Sequence, residues 1–190
     1  MLRFTNETRK AASAMKYATE LETLIDAQAI SRRVAELGAA ITADYAGRSL
    51  VLLCVLKGSF IFAADLARSI DLPLRVEFLG VRSYGDSTVS SGIVQITQDV
   101  ARPVENEDVL VVEDIVDTGL TCSFIMEQLR ARRARSVRLC SFLHKPSRCK
   151  VAVDIDYLGF SIDDVFVVGY GLDGAQQFRN LPDLRVYRHI

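Results

Sequence analysis

Three carboxylates, Glu113, Asp114 and Asp117, fall within five residues, and Thr118, Gly119 and Thr121 follow at once. This string, Glu113-Asp-Ile-Val-Asp-Thr-Gly-Leu-Thr121, stands between an apolar run, Val109 to Val112, and a stretch carrying Phe124, Ile125 and Leu129. The run reads as a buried strand and the stretch as a helix. N–H groups at a helix start, with threonine hydroxyls, take up a phosphate dianion. Gly119 lets the backbone come close to it. Adjacent Glu113 and Asp114 supply paired acceptors for the vicinal hydroxyls of a ribose. Acids this near a phosphate repel it unless they bind hydroxyls or Mg²⁺, so the residue order predicts a site for a sugar phosphate.

The elements that must position this turn can be followed along the chain. Ile30, Val34, Leu37, Ile41 and Tyr45 recur at spacings of three and four, which predicts one buried helix face, with Asp26 as N-cap. Leu50 to Leu56 reads as a buried strand, ended by a Lys57-Gly58-Ser59 turn. A second helix follows, with Phe60, Ala63, Ala64 and Ala67 as its apolar side. Leu74 to Val81 reads as a strand, Arg82 to Gly92 as a polar loop, and Ile93 to Thr97 as a returning strand. Beyond the motif comes another strand, Val137 to Leu143, and then a turn with Lys145 and Pro146. Strands alternating with helices predict an α/β fold, a mostly parallel twisted sheet flanked by helices. From Lys150 the segments shorten to Val151–Leu158 and Val165–Tyr170. We read one domain over residues 1–190, with a core of about 26–149 and a small hood of about 1–25 plus 150–190. Ligands in such sheets bind at the carboxyl edge.

Composition narrows the function class. The formal net charge of −1 gives no electrostatic footprint for nucleic acid. Arg130, Arg132, Arg133, Arg135 and Arg138 cluster near one helix end, where cations complement the helix dipole. Cys54, Cys122, Cys140 and Cys149 show no Cys-x-x-Cys spacing, and Cys140, His144 and Cys149 lack a fourth ligand for zinc. The longest clear apolar run, Leu50 to Leu56, is too short to cross a bilayer. Arg3, Glu7, Arg9 and Lys10 leave no apolar core for a signal peptide, so the expected compartment is the cytoplasm, without membrane partners. Gly169-Tyr-Gly171-Leu-Asp-Gly174 matches a dinucleotide fingerprint, but Pro182 and the end at Ile190 leave no room for the βαβ unit it needs.

The Glu113–Thr121 string resembles the phosphoribosyl-pyrophosphate (PRPP) motif of the type I phosphoribosyltransferases, most closely the hypoxanthine-guanine enzymes. The resemblance runs from about Leu50 to Pro182. It implies the type I phosphoribosyltransferase fold, a Mg²⁺ cofactor, PRPP and a 6-oxopurine as substrates, and a homodimer or homotetramer. It also implies roles. Glu113 and Asp114 hold the ribose hydroxyls, Thr118, Gly119, Leu120 and Thr121 the 5′-phosphate, and Asp117 acts at purine N7 as general acid or base. Lys57 and Gly58 form a pyrophosphate loop, often after a non-proline cis peptide, with Ser83 and Tyr84 on a lid and Arg179 as further pyrophosphate partners. Lys145 donates to the purine 6-oxo group, since an ammonium only donates. Phe166 stacks on the base, the Val167 backbone reads its edge, and Asp173, with Glu113 and Asp114, serves Mg²⁺.

Two positions depart from that pattern. Val165 stands where some members have lysine, and Gly174 where an aromatic is frequent, which bears on the pocket rim and on discrimination among guanine, hypoxanthine and xanthine. Two alternatives stay open from residues alone: a non-catalytic PRPP- or nucleotide-sensing regulator on the same fold, and a transferase for xanthine, adenine or uracil.

Overall fold

The structure, a computed structural model, describes residues 21–83 and 94–188, and of Ser83 only the backbone. Tyr84, the rest of the expected lid and the first twenty residues of the expected hood lie outside the described residues. The first half of the chain runs β1 (Leu21–Ile25), α1 (Ala27–Asp44), β2 (Leu50–Leu56), α2 (Phe60–Ser69), β3 (Leu74–Ser83) and β4 (Val94–Gln98). The second runs β5 (Asp108–Val116), α3 (Leu120–Ala131), β6 (Ser136–His144), a 3-10 turn (Pro146–Arg148), β7 (Tyr157–Ser161), β8 (Val167–Val168) and β9 (Leu184–Tyr187).

Six strands form one sheet in the order β4-β3-β2-β5-β6-β7, parallel throughout except for antiparallel β4. The residues of β2 alternate between two cores. Leu50, Leu52 and Cys54 meet α1 and α2 on one face, while Val51, Leu53 and Val55 meet α3 on the other. Burial on both faces is why the strand reads as an unbroken apolar run. Each such aliphatic side chain contributes roughly 1.5–3 kcal/mol on leaving water. Helix α1 starts at Asp26, whose carboxylate accepts from Ala29 N at 2.7 Å, and Ile30, Val34, Leu37, Ile41 and the adjoining Tyr45 are all buried. Its Arg33 donates to Leu158 O and Gly159 O, at 2.7 and 3.1 Å, along β7 at the end of the sheet.

The structure corrects several expectations. The buried side of α2 is Phe62, Ala63 and Leu66; Phe60 and Ala64 face outward. Strand β5 does not end at Val112 but carries Glu113 and Asp114 within it, because β6 keeps pairing alongside as far as Val116. Arg82 and Ser83 belong to β3 rather than to a loop. Residues after Lys150 are divided: β7 pairs with β6 in the main sheet, whereas β8 and β9 join β1 in a separate three-stranded sheet, the hood. The arginines past α3 bind acids rather than only the helix end, with Arg132 on Asp99 at 2.6 Å, Arg135 on Asp108 at 3.2 Å and Arg138 on Asp44 at 2.7 Å. Gly169 to Gly174 form turns and isolated bridges, and no helix opens there. Among the described residues no helix is long and apolar enough to cross a membrane.

Candidate active site

The chain leaves β2 towards β3 on one side, and β5 lies on the other, so the strand order reverses between β2 and β5. A crevice opens at the carboxyl ends of strands at such a reversal. Lys57 and Gly58 end β2 there, and the acidic motif ends β5. The Leu56–Lys57 peptide is cis. The next turn is anchored by buried Ser59, whose hydroxyl donates to Val55 O at 2.6 Å. Asp114 lies over Gly58 so closely that a Cβ on residue 58 would come 1.4 Å from Oδ2.

Glu113 is buried, and its Oε2 has no hydrogen-bond partner among the described residues. Burial first, and then the neighbouring Asp114 charge, hold its carboxyl well above the usual carboxylate range. Burial also raises Asp114, against the lowering effect of the Ile115 N–H at 2.8 Å and the charge of Arg179. Two adjacent carboxyls kept from water resist carrying two charges. They are paired acceptors waiting for donors.

Past β5 the backbone turns through Gly119, whose φ of +81° favours glycine. A Cβ on it would also stand 2.2 Å from Val151 O. The first intrahelical bond of α3 runs from Ser123 N to Gly119 O at 2.9 Å, so the N–H groups of Leu120, Thr121 and Cys122 precede the helical ladder. Thr118 O accepts from Lys150 N and Val151 N, at 3.0 and 3.1 Å, which fixes the turn from behind. Free N–H groups at a helix start are the kind that can cradle an anion. Asp117, at the lip of this turn, is gripped by Arg148: Nε to Oδ1 at 2.9 Å and Nη2 to Oδ2 at 3.4 Å.

The next strand end brings Lys145, which is 9% exposed, with its Nζ 3.4 Å from Asp164 Oδ1. In the hood, Phe166 is 54% exposed, and its ring centroid lies 6.1 Å from that of Tyr187. Phe166 O accepts from Tyr187 N on the β9 side. By strand alternation the N–H and C=O of Val167 point to the other edge of β8, which ends its sheet. Asp173 and Arg179 pair with each other at 2.5 Å; Asp173 Oδ2 also accepts from Gln176 N at 2.7 Å. Arg179 donates to Gly171 O at 2.8 Å, and Gly171 rests on the Gly58 carbonyl, 2.1 Å from where its Cβ would be. A Cβ at Gly174 would lie 3.5 Å from the Phe166 ring, so the missing side chain leaves that ring edge uncovered.

Strand ends thus gather Lys57, Gly58, Glu113, Asp114, Asp117 to Thr121 and Lys145 at one edge, while Gly171, bonded to Arg179, brings the hood against Gly58 past the end of β2. Sequence reasoning left Arg148 and Asp164 unnamed. The signal for Arg148 was its place three residues after Lys145, in a turn begun by Pro146. A cleft of about 800 Å³ beside β1 and β9 reaches Phe166 but contains none of the motif residues.

Residues 20–175 match the phosphoribosyl transferase domain family. The chain is 45% identical over 174 residues to the hypoxanthine-guanine phosphoribosyltransferase of Bacillus subtilis (strain 168), covering 92% of this chain and 96% of that protein. It is 47% identical over 176 residues to the enzyme of the same name from Mycobacterium avium, covering 87% of each. A crystal structure of a hypoxanthine phosphoribosyltransferase from Staphylococcus aureus superposes with a TM-score of 0.87 at 42% identity, over 90% of this chain and 94% of that one.

Proposed function

The chain belongs to the phosphoribosyl transferase domain family, and on that premise we propose that it transfers the 5-phosphoribosyl group of PRPP to N9 of hypoxanthine or guanine, releasing pyrophosphate in purine salvage. The observation that carries this reading is that neighbouring strand ends bring together an anion cradle, a buried acid pair and, one strand away, a nearly buried lysine.

In the reaction the C1′–O bond stretches and positive charge develops on the sugar. Thr118 to Thr121 hold the 5′-phosphate, and Glu113 and Asp114 accept from the ribose diol. This fixes C1′ against the base. Lys57, the Gly58 N–H, Arg179 and the Ser83-Tyr84 segment take the charge of the departing pyrophosphate. Lys145 donates to O6, Phe166 stacks on the ring, and the open Val167 edge reads the base. Asp117 hydrogen-bonds N7 and moves its proton.

We also propose Mg²⁺ as cofactor. Glu113 Oε2 is a buried oxygen without a partner, and both Asp173 oxygens keep acceptor capacity beside their present donors. The ion would be held by one or two of Asp173, Glu113 and Asp114 together with substrate oxygens. When bound, Mg²⁺ neutralises pyrophosphate charge as a Lewis acid. The cytoplasm is the compartment we propose, consistent with four free cysteines. The assembly we propose is a homodimer or a homotetramer. Val76 and Phe78, in register with Leu52 and Cys54, emerge on the α1/α2 face and, among the described residues, stay 41% and 44% exposed, which supports cover by a second copy.

The test is direct. The protein is incubated with PRPP, Mg²⁺ and each of hypoxanthine, guanine, xanthine and adenine, and nucleotide formation is followed. IMP and GMP are expected. PRPP binding in calorimetry with no pyrophosphate released for any base would replace this reading with a sensor.

A further inference from the structure

Three connections tie Lys145 to Asp117 across the ends of β6 and β5. Lys145 N donates to Val116 O at 3.0 Å, next to Asp117. The Arg148 guanidinium clasps both oxygens of Asp117, while its Nη1 stands 3.6 Å from Asp164 Oδ2. The other oxygen of Asp164 faces Lys145 Nζ at 3.4 Å. The result is a chain of alternating charge: Asp117, Arg148, Asp164, Lys145.

Stability does not explain this chain. The side chains of Arg148, Asp117 and Asp164 are 47%, 38% and 49% exposed, and ion pairs this wet add little to folding. Position does explain it. O6 and N7 flank one edge of a 6-oxopurine, so an ammonium on O6 and a carboxylate on N7 must keep a set spacing. Their strands alone fix only the backbone. An arginine fork is planar and directional, suited to holding a carboxylate in one orientation.

We propose that Arg148 and Asp164 are positioning residues that hold Asp117 and Lys145 as one unit matched to the O6–N7 edge, so that base selectivity depends on residues that never touch the base. The inference rests on the roles of Lys145 and Asp117 given above.

Steady-state kinetics with hypoxanthine and adenine test it in Asp164→Asn, Arg148→Met and the double variant. Each single variant is expected to lose about tenfold in kcat/KM for hypoxanthine, the scale of one charge-assisted hydrogen bond. Discrimination against adenine falls, while KM for PRPP and the melting temperature stay as in the parent. The double variant loses no more than either single one, and Arg148→Lys recovers part of the loss. Lys145→Ala separates the two ideas. If it relaxes the preference against adenine while Asp164→Asn and Arg148→Met leave selectivity intact, or lose activity additively, the relay is overturned and the base assignment stands. If none of the three alters selectivity, both are overturned.

Discussion

The Asp114 carboxylate occupies the space that any side chain on Gly58 would need, with Oδ2 only 1.4 Å from an ideal Cβ there. The end of β2 and the acid of β5 are thereby packed backbone against carboxylate. Gly58→Ala must push one of them away, at about 1–3 kcal/mol for an overpacked site. The expected outcome is a lower melting temperature together with a raised KM for PRPP. An alanine variant with parental PRPP kinetics would show that the close approach is idle.

Asp117→Asn keeps the shape of the side chain and removes its charge. Turnover is expected to fall by about 10²- to 10⁴-fold, the range for a positioned acid or base. PRPP affinity, measured by calorimetry, should change far less. Equal losses in both quantities reject the proton-transfer role.

Glu113 titrates in the opposite sense to a salt-bridged acid. Burial raises its folded-state value, so the folded protein holds the proton more tightly than the unfolded chain does. Its contribution to stability is complete below the ordinary glutamate range and is lost as pH climbs through the raised value. Glu113→Gln cannot ionise. In the ligand-free protein, the melting temperature of Glu113→Gln minus that of the parent should grow as pH rises above the ordinary glutamate range. A flat difference over that rise contradicts the burial argument.

Phe60, Val76 and Phe78 are 43%, 41% and 44% exposed at the α2 and β3 surface, apolar area that the proposed second copy would cover. Phe78→Glu should reduce the native mass seen by light scattering to that of one chain. A parent protein that already scatters as one chain removes the proposed dimer.

Much of this architecture was legible in the residues, and the failures have physical causes. Helix α1 was readable because Ile30, Val34, Leu37, Ile41 and the adjoining Tyr45 keep three-and-four spacing. Strand β2 was readable because both of its faces are covered. Helix α2 misled because Phe60-Ile-Phe-Ala-Ala64 is apolar at every position, so periodicity could not choose a face. Strand β5 looked short because its acids interrupt the apolar run, while the β6 ladder that sustains it lies some 28 residues away in register, as Asp108 with Ser136. The motif itself announced the acid pair and the glycine turn that opens α3. Arg148 and Asp164 could not announce themselves. Their meaning comes from two loops meeting in space, and the pairing of Asp173 with Arg179 comes from how the β8–β9 connection turns back on itself.

Arg33 has a bearing on how the molecule behaves in a crowd. An unpaired strand at a sheet margin is a template for a neighbour's backbone, the first step towards uncontrolled polymerisation. The guanidinium already occupies two carbonyls of β7. Part of that margin is already taken, and a colliding chain meets a charge where it would otherwise find an open carbonyl.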